Sequence, residues 1–216
     1  MITPAVFWDN IAETYAARPV PDPTAYQQTL DRIRAHLHPT DTVLELGCGT
    51  GSTALTLADA VAHYRASDIS ANMIAIGQDK AAKQGISNVT FVAADAAHPS
   101  VAGADQNPAF DSVLALNLLH LVPDLPDLLT RIHAMTRPGG LFISKTICLP
   151  EQGGGLKFAA MRAALPLMRL LGKAPQVWFY RIPQLETLIR QAGFDIIETG
   201  NYPANPPSRF IVARRL

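Results

Sequence analysis

The sequence predicts an α/β fold in which a mostly parallel sheet carries helices on both faces. Short apolar runs of strand length alternate with stretches whose apolar residues recur at helical spacing. The first strand, around Val43, Leu44 and Leu46, ends in a glycine-rich turn, Gly47-Cys48-Gly49-Thr50-Gly51, and runs straight into a helical pattern from Ser52. Finally, 216 residues with 48% hydrophobic content are enough for one domain with a full core.

Composition narrows the functional classes. Eighteen basic and eighteen acidic residues cancel, so no global field favours nucleic acid or an acidic surface. Cys48 and Cys148 lie far apart in the chain and form no disulfide framework, which suits a reducing cytoplasm. The opening residues, with Thr3, Pro4, Asp9 and Glu13, lack the basic start and apolar run of a signal peptide. No apolar run is long enough to span a bilayer, so stable membrane insertion is not expected. No metal-ligand cluster, carboxylate dyad or Ser/His/Asp arrangement stands out, so no metal is expected.

Taken in order, residues 5–17 read as a helix with Phe7, Trp8, Ile11 and Tyr15 at helical spacing, ended by the Pro-rich run 18–23. Residues 24–37 form a second helix, with Leu30, Ile33 and Leu37 on one side, stopped by Pro39. Both precede the first strand, so 1–38 stands outside the alternating pattern as a helical cover. The glycines that follow let main chain approach a ligand closely, and the next helix points unpaired N–H groups at it. Cys48 reads as a small packed residue, since no base is placed beside it to make it a nucleophile. A strand over 63–67 ends at Asp68, and Ser70 caps a helix over 71–84. The interval from Gly47 to Asp68 is close to the roughly 20 residues that separate a glycine loop from a ribose-binding acid. A carboxylate there can accept from two vicinal hydroxyls; the competing role is an N-cap or surface acid.

Residues 89–93 form a third strand, followed by Ala94, Asp95 and Ala96, and a polar connection runs through Gly103, Gln106, Asn107 and Pro108. A fourth strand, 110–116, leads into Asn117-Leu118-Leu119-His120. His120 is the titratable side chain at this edge whose ordinary pKa lies near neutrality, hence a candidate base; the alternative is a ring packed at a loop. A helix over 123–136 and the turn Arg137-Pro138-Gly139-Gly140 precede a fifth strand, 141–148. Gln152-Gly153-Gly154-Gly155 reads as a hinge, and 156–172 as a helical stretch broken at Pro166. That stretch, within an insertion over 152–181, is open to three readings: a cap over a pocket, a membrane-surface helix or a dimer face. Trp178-Phe179-Tyr180 either lines the same pocket or packs in the core. A last helix, 182–192, is closed by Gly193 and followed by strands over 194–199 and 210–214.

The run Glu45-Leu46-Gly47-Cys48-Gly49-Thr50-Gly51 resembles motif I of the class I methyltransferases that use S-adenosylmethionine. Residues Trp8 to Tyr15 resemble the leading segment of small-molecule members, and Arg137-Pro138-Gly139-Gly140 before an apolar strand is a further family hallmark. The resemblance spans about residue 9 to the C-terminus, is weakest over 151–181, and points to the ubiquinone/menaquinone methyltransferase-like group. It implies a Rossmann-like three-layer sandwich, a seven-stranded sheet with its last strand antiparallel, and a helical insertion before the last helix. It also implies S-adenosylmethionine as cofactor. On that mapping Glu45, Gly47, Cys48, Gly49, Thr50 and Gly51 bed the methionine part. Asp68 holds the ribose, with Ile69 and Met73 alongside, and Asp95 and Ala96 flank the adenine. Asn117 and Leu118 border the reacting methyl, and Tyr15 closes over the cofactor. Trp8, His120, Trp178, Phe179 and Tyr180 fall to the acceptor.

The Asn/Asp-Pro-Pro-aromatic run of base-modifying members is replaced here by Asn117-Leu118-Leu119-His120, which argues against a nucleic-acid substrate. The expected reaction is in-line displacement from the sulfonium onto a small aromatic or lipophilic molecule, with an anionic one favoured by the basic residues of 156–173. Two rival functions stand beside it: a non-catalytic S-adenosylmethionine-binding module, and an NAD-dependent oxidoreductase, which calls for Gly-x-Gly-x-x-Gly instead. A homodimer is left open.

Overall fold

A computed structural model of the chain describes residues 2–102, 110–150, 160, 163–165, 167–169 and 172–216. Seven strands form one sheet in the order β3-β2-β1-β4-β5-β7-β6. They are β1 (Thr42–Leu46), β2 (His63–Asp68), β3 (Val89–Ala93), β4 (Phe110–Leu116), β5 (Thr136–Ile147), β6 (Phe194–Asn201) and β7 (Ser208–Arg215). β1 to β5 pair in parallel, and β7 inserts antiparallel between β5 and β6. The expected α/β sheet with its last strand reversed is therefore present. The chain leaves β1 toward β3 on one side and returns to β4 on the other, so the strand order reverses between β1 and β4. In open sheets of this kind, a crevice opens at the carboxyl ends of the strands at such a switch point.

Alternation along the strands fills two cores. Leu44, Leu46, Val113, Ala115 and Phe142 face α5 (Leu125–Met135) and α6 (Ile182–Gln191), which contribute Leu128, Ile132, Leu185 and Ile189. Val43, Leu114, Ile143 and Val212 face the other way, toward Leu30 and Ile33 of α2 (Pro23–Arg34) and Leu57 of α3 (Ser52–Leu57). Side chains of successive strand residues point to opposite faces, so a buried parallel sheet needs both sets apolar. Glu45 falls in register with Val43 and breaks that rule.

Capping explains where the helices start. Pro4 opens α1 (Pro4–Ala16) behind Thr3, Asp22 accepts from Ala25 N at 2.9 Å ahead of Pro23 in α2, and Ser70 accepts from Met73 N at 3.1 Å to open α4 (Ala71–Gln84). α1 is also stapled to α4: Asp9 Oδ1 accepts from Ser70 Oγ at 2.6 Å and from Asn72 N at 3.1 Å. α2 is held to the far end of the sheet, where Arg32 donates twice to Glu198 at 2.6 Å and His36 Nε2 lies 2.8 Å from the same carboxylate.

The helix expected from Ser52 is present as Ser52–Leu57 and passes into a 3₁₀ turn over Ala58–Ala60. One expectation needs correction. Arg137-Pro138-Gly139-Gly140 is not a turn outside the sheet but part of β5. Thr136 pairs with Phe110, and regular pairing resumes at Ser112 with Leu141, so the extra residues form a bulge. Asp111 anchors it, pairing with Arg137 while accepting from Thr42 N at 2.6 Å. A Cβ on Gly140 would lie 2.9 Å from the Asp111 carbonyl oxygen, which is why glycine is required there. The expected hinge over 152–155, the polar connection over 103–108 and most of 156–172 lie outside the described residues.

Candidate functional site

The glycine turn, the ends of β2 to β5 and the two N-terminal helices enclose a cavity of about 960 Å³. On one side lie Gly47, Cys48, Gly49 and Thr50. Gly47 and Gly49 take φ of +68° and +55°, which bends the main chain back beneath the cavity. A Cβ at Gly47 would meet Leu118 Cδ1 at 2.9 Å, so the end of β1 and the loop after β4 touch only because position 47 has no side chain. Gly51 is different and does not line the cavity. Its φ is +72°, and a Cβ there would stand 2.5 Å from the Phe91 ring. Its role is packing of β3 against the turn, a correction to its expected place in the ligand bed.

Asp68 is the carboxylate that organises this side. Its Oδ2 accepts from Gly49 N at 2.8 Å and its Oδ1 from Ser70 N at 2.9 Å, so one residue fixes both the glycine turn and the start of α4. Each carboxylate oxygen has a second lone pair, and Asp68 lines the cavity, so capacity for two more donors remains. Burial pushes its carboxyl up, against the hydrogen bonds from Ser70 and Gly49. Glu45 lies deeper, 2% exposed, accepting from Tyr64 Oη at 2.9 Å. Burial pushes it up to about 7, with the Tyr64 hydrogen bond opposing and the charge of Asp68 adding. Among the described residues neither acid is ion-paired with a cationic side chain, so Asp68, joined by Glu45 once pH passes about 7, gives this half of the cavity a negative field. Ile69, Met73, Asp95, Ala96, Asn117 and Leu118 complete its lining, with Asp95 Oδ1 accepting from Ala97 N at 2.8 Å. Asn117 holds φ at +57°, a strained position for a residue with a side chain, at the end of β4. Burial pushes the Cys48 thiol well above its ordinary value, which removes it as a nucleophile.

The other half is built by α1, α2 and the ends of β5 and β7. Phe7, Trp8 and Tyr15 form a chain of edge-on aromatic contacts along α1, with ring centroids 5.2 and 6.2 Å apart. Tyr15 lies over Gly49, and a Cβ there would be 3.7 Å from its ring. Trp178 also lines this half, and its backbone N–H donates to the His120 carbonyl at 2.8 Å.

His120, Phe179 and Tyr180 do not line the cavity. His120 sits in a 3₁₀ turn, Leu119–Leu121, with Nδ1 shielded from solvent and without a hydrogen-bond partner. Burial lowers it to about 4, so it is a weak base outside the cavity lining, not at the catalytic place expected of it. Tyr180 is 8% exposed and packs with Leu185 and Phe194, because a bridge between its backbone and Cys148 turns it into the core. Phe179 is half-buried. Sequence reasoning missed Tyr26, Thr53 and Lys145, which all line the cavity. Tyr26 and Thr53 stand 3.2 Å apart across the gap between α2 and α3, a contact that no local pattern shows.

Residues 43–140 match a family model described as a methyltransferase domain. Over 174 residues the chain is 28% identical to the demethylmenaquinone methyltransferase of Geobacillus kaustophilus, covering 74% of this chain and 73% of that enzyme. It is 26% identical over 178 residues to the equisetin synthetase of Fusarium heterosporum, a match that covers 79% of this chain but spans 4% of the synthetase's length. Among solved structures, the magnesium protoporphyrin IX methyltransferase of Synechocystis PCC 6803, with bound S-adenosylhomocysteine, superposes with a TM-score of 0.73 at 20% identity over 98% of each chain. Among the described residues no helix is long and apolar enough to cross a membrane.

Proposed function

We propose that this chain, which belongs to the class I S-adenosylmethionine-dependent methyltransferases, carries a methyl group from S-adenosylmethionine to a small aromatic or lipophilic acceptor by in-line displacement. A fold alone would support many chemistries, so the reading rests on the site. The observation that carries it is the arrangement of Asp68, whose two oxygens tie Gly49 N and Ser70 N while the carboxylate still borders the cavity. A carboxylate with free lone pairs beside the glycine turn supports reading Asp68 as the acceptor for ribose hydroxyls. Gly47 to Thr50 would then bed the methionine part, Asp95 and Ala96 the adenine, and Asn117 and Leu118 the region of the sulfonium. The cofactor supplies an electrophilic methyl on a positively charged sulfur. The chain's own contribution is to hold that cation in the negative half and the acceptor in the aromatic half, oriented for attack along the sulfur–carbon axis.

Replacing the carboxylate tests this. Asp68→Ala should weaken S-adenosylhomocysteine binding by about tenfold to a hundredfold, the cost of removing hydrogen bonds to a charged group. Calorimetry on wild type and variant measures it, with Asp68→Asn reporting how much of the loss is structural. Unchanged affinity in Asp68→Ala, or tighter binding of NAD than of S-adenosylhomocysteine by wild type, would refute the reading.

A further inference from the structure

We propose that Lys145 is the anion-binding residue of the acceptor half, so that the molecule methylated presents an ionised oxygen (a carboxylate or a phenolate) at the carboxyl end of β5. The inference rests on the methyl-transfer reading above and deepens it.

Lys145 is placed where an acceptor must come. It sits opposite Leu116 in the β4–β5 register, and its carbonyl accepts from Asn117 N at 2.7 Å. Its backbone is thus one strand away from the residues proposed to border the sulfonium. Lys145 lines the cavity, yet the residue is only 8% exposed.

Its ammonium is incompletely satisfied. An ammonium carries three donors, and Lys145 Nζ uses one, to Thr29 Oγ1 at 3.1 Å. Thr29 spends its own hydrogen on the Ala25 carbonyl at 2.7 Å, so its lone pair is turned to the lysine and the contact is fixed in direction. Among the described residues Lys145 makes no ion pair. Asp22 is close enough to act on it electrostatically, but Asp22 Oδ1 accepts from Ala25 N as the cap of α2. Burial lowers the lysine from its ordinary value, with Asp22 opposing, as expected of a cation short of partners. A buried cation with one neutral acceptor is unfavourable unless another partner arrives. An anionic oxygen entering from the aromatic half would supply it, held off the negative half by Glu45 and Asp68. An acceptor that arrives already ionised also needs no protein base, in keeping with His120 lying outside the cavity.

The test uses intact protein saturated with S-adenosylhomocysteine and reads binding from Trp178 fluorescence quenching or calorimetry. Two probe pairs separate the sources of the charge: 2-naphthoate against 2-naphthamide, and 4-nitrophenolate against 4-nitroanisole. Wild type should bind the anion of at least one pair about tenfold or more tightly than its neutral counterpart. A preference in the first pair identifies a carboxylate, in the second a phenolate. Lys145→Met should abolish that preference while leaving S-adenosylhomocysteine affinity within about twofold, and Lys145→Arg should restore part of it. The wild-type ratio stands on its own should Lys145→Met fold poorly. Intact S-adenosylhomocysteine binding without any preference for either anion, or a preference that survives in Lys145→Met, overturns this inference alone. Loss of S-adenosylhomocysteine binding in wild type overturns the function on which it rests.

Discussion

Glu45→Gln should expose two opposite effects of a single buried carboxyl. In the folded protein Glu45 is pushed up to about 7, chiefly by burial, whereas the unperturbed carboxyl ionises at 4.5. Between these values the folded state holds a proton that the unfolded state has released, so stability falls as pH rises through that window. The gap corresponds to about 3 kcal/mol once both states are ionised, near pH 8. A glutamine keeps the bond from Tyr64 Oη but cannot ionise, so the unliganded variant should match wild type at pH 4 and exceed it by up to about 3 kcal/mol at pH 8. Cofactor binding should move the other way. S-adenosylmethionine carries a net positive charge, so it favours the ionised carboxylate, and wild type must release a proton to bind it below about pH 7. Its affinity should rise with pH, by at most about tenfold per pH unit, and level off above 7, while Glu45→Gln binds more weakly and with no slope. Calorimetry at pH 6 to 8.5 in two buffers of different ionisation heat counts the proton, and denaturant titration gives the stability. Wild-type affinity equal at pH 6 and 8 with no proton released would refute the reasoning, as would a glutamine variant that retains the slope.

Two further outcomes follow from packing and charge. Gly51→Ala puts a methyl 2.5 Å from the Phe91 ring at a φ of +72°, so it should cost about 2–4 kcal/mol in denaturant stability, and Phe91→Leu in the same chain should recover only the steric share. Glu198→Gln removes the negative charge and one of the two oxygens that accept from Arg32, for a loss of about 1 kcal/mol at pH 7, discounted because the Arg32 side chain is 43% exposed. Arg32 and His36 hold the Glu198 carboxyl down to about 2, so its contribution is complete above about 4.5 and fades as pH falls toward 2. Thermal melts of wild type and variant should therefore converge in acid.

What could be read from the chain and what could not divide along a physical line. The apolar run of Val43, Leu44 and Leu46 and the cap at Ser70 are local, and residues 71–84, 89–93 and 110–116 form the elements their own patterns specify. The β5 bulge escaped because it is decided from outside: Phe110 across the sheet and Asp111 beneath Arg137 hold a Pro-Gly-Gly run that reads as a turn. At the candidate site, the spacing from Gly47 to Asp68 is enough to bring the two together, since they lie at neighbouring strand ends with one short helical segment between them. His120, Tyr180 and Gly51 were misplaced because side-chain direction in a 3₁₀ turn, at an isolated bridge or under a neighbouring ring depends on contacts distant in sequence. Lys145 is the converse case. Within Ile143-Ser144-Lys145-Thr146 it reads as an ordinary strand residue, and only the approach of Thr29 on α2 makes it a buried cation.

The two halves of the cavity are thus assembled from parts that can vary independently. Its negative half comes from β1 to β4 and the turns after them, elements bound into the sheet by their own parallel ladders. Its aromatic half depends on helices outside that repeat: α2 is packed into the core through Leu30 and Ile33 and tied to α3 by Tyr26 and Arg34, whereas α1 buries only Phe7 and Ala12 and is pinned by Asp9 to Ser70 and Asn72. Ladder bonds deep in a sheet open only with global unfolding, whereas surface helices held by a handful of polar contacts open at much lower cost. Ligand entry and exit are therefore expected to involve movement of α1, with the glycine turn and Asp68 staying fixed. Hydrogen exchange should then show amides of Pro4–Ala16 protected by ligand far more than those of Val43–Leu46, which are already slow in the free protein. Equal protection of both segments would mean that the site opens through the sheet itself, and the division drawn here between a rigid cofactor bed and a movable acceptor cover would fall.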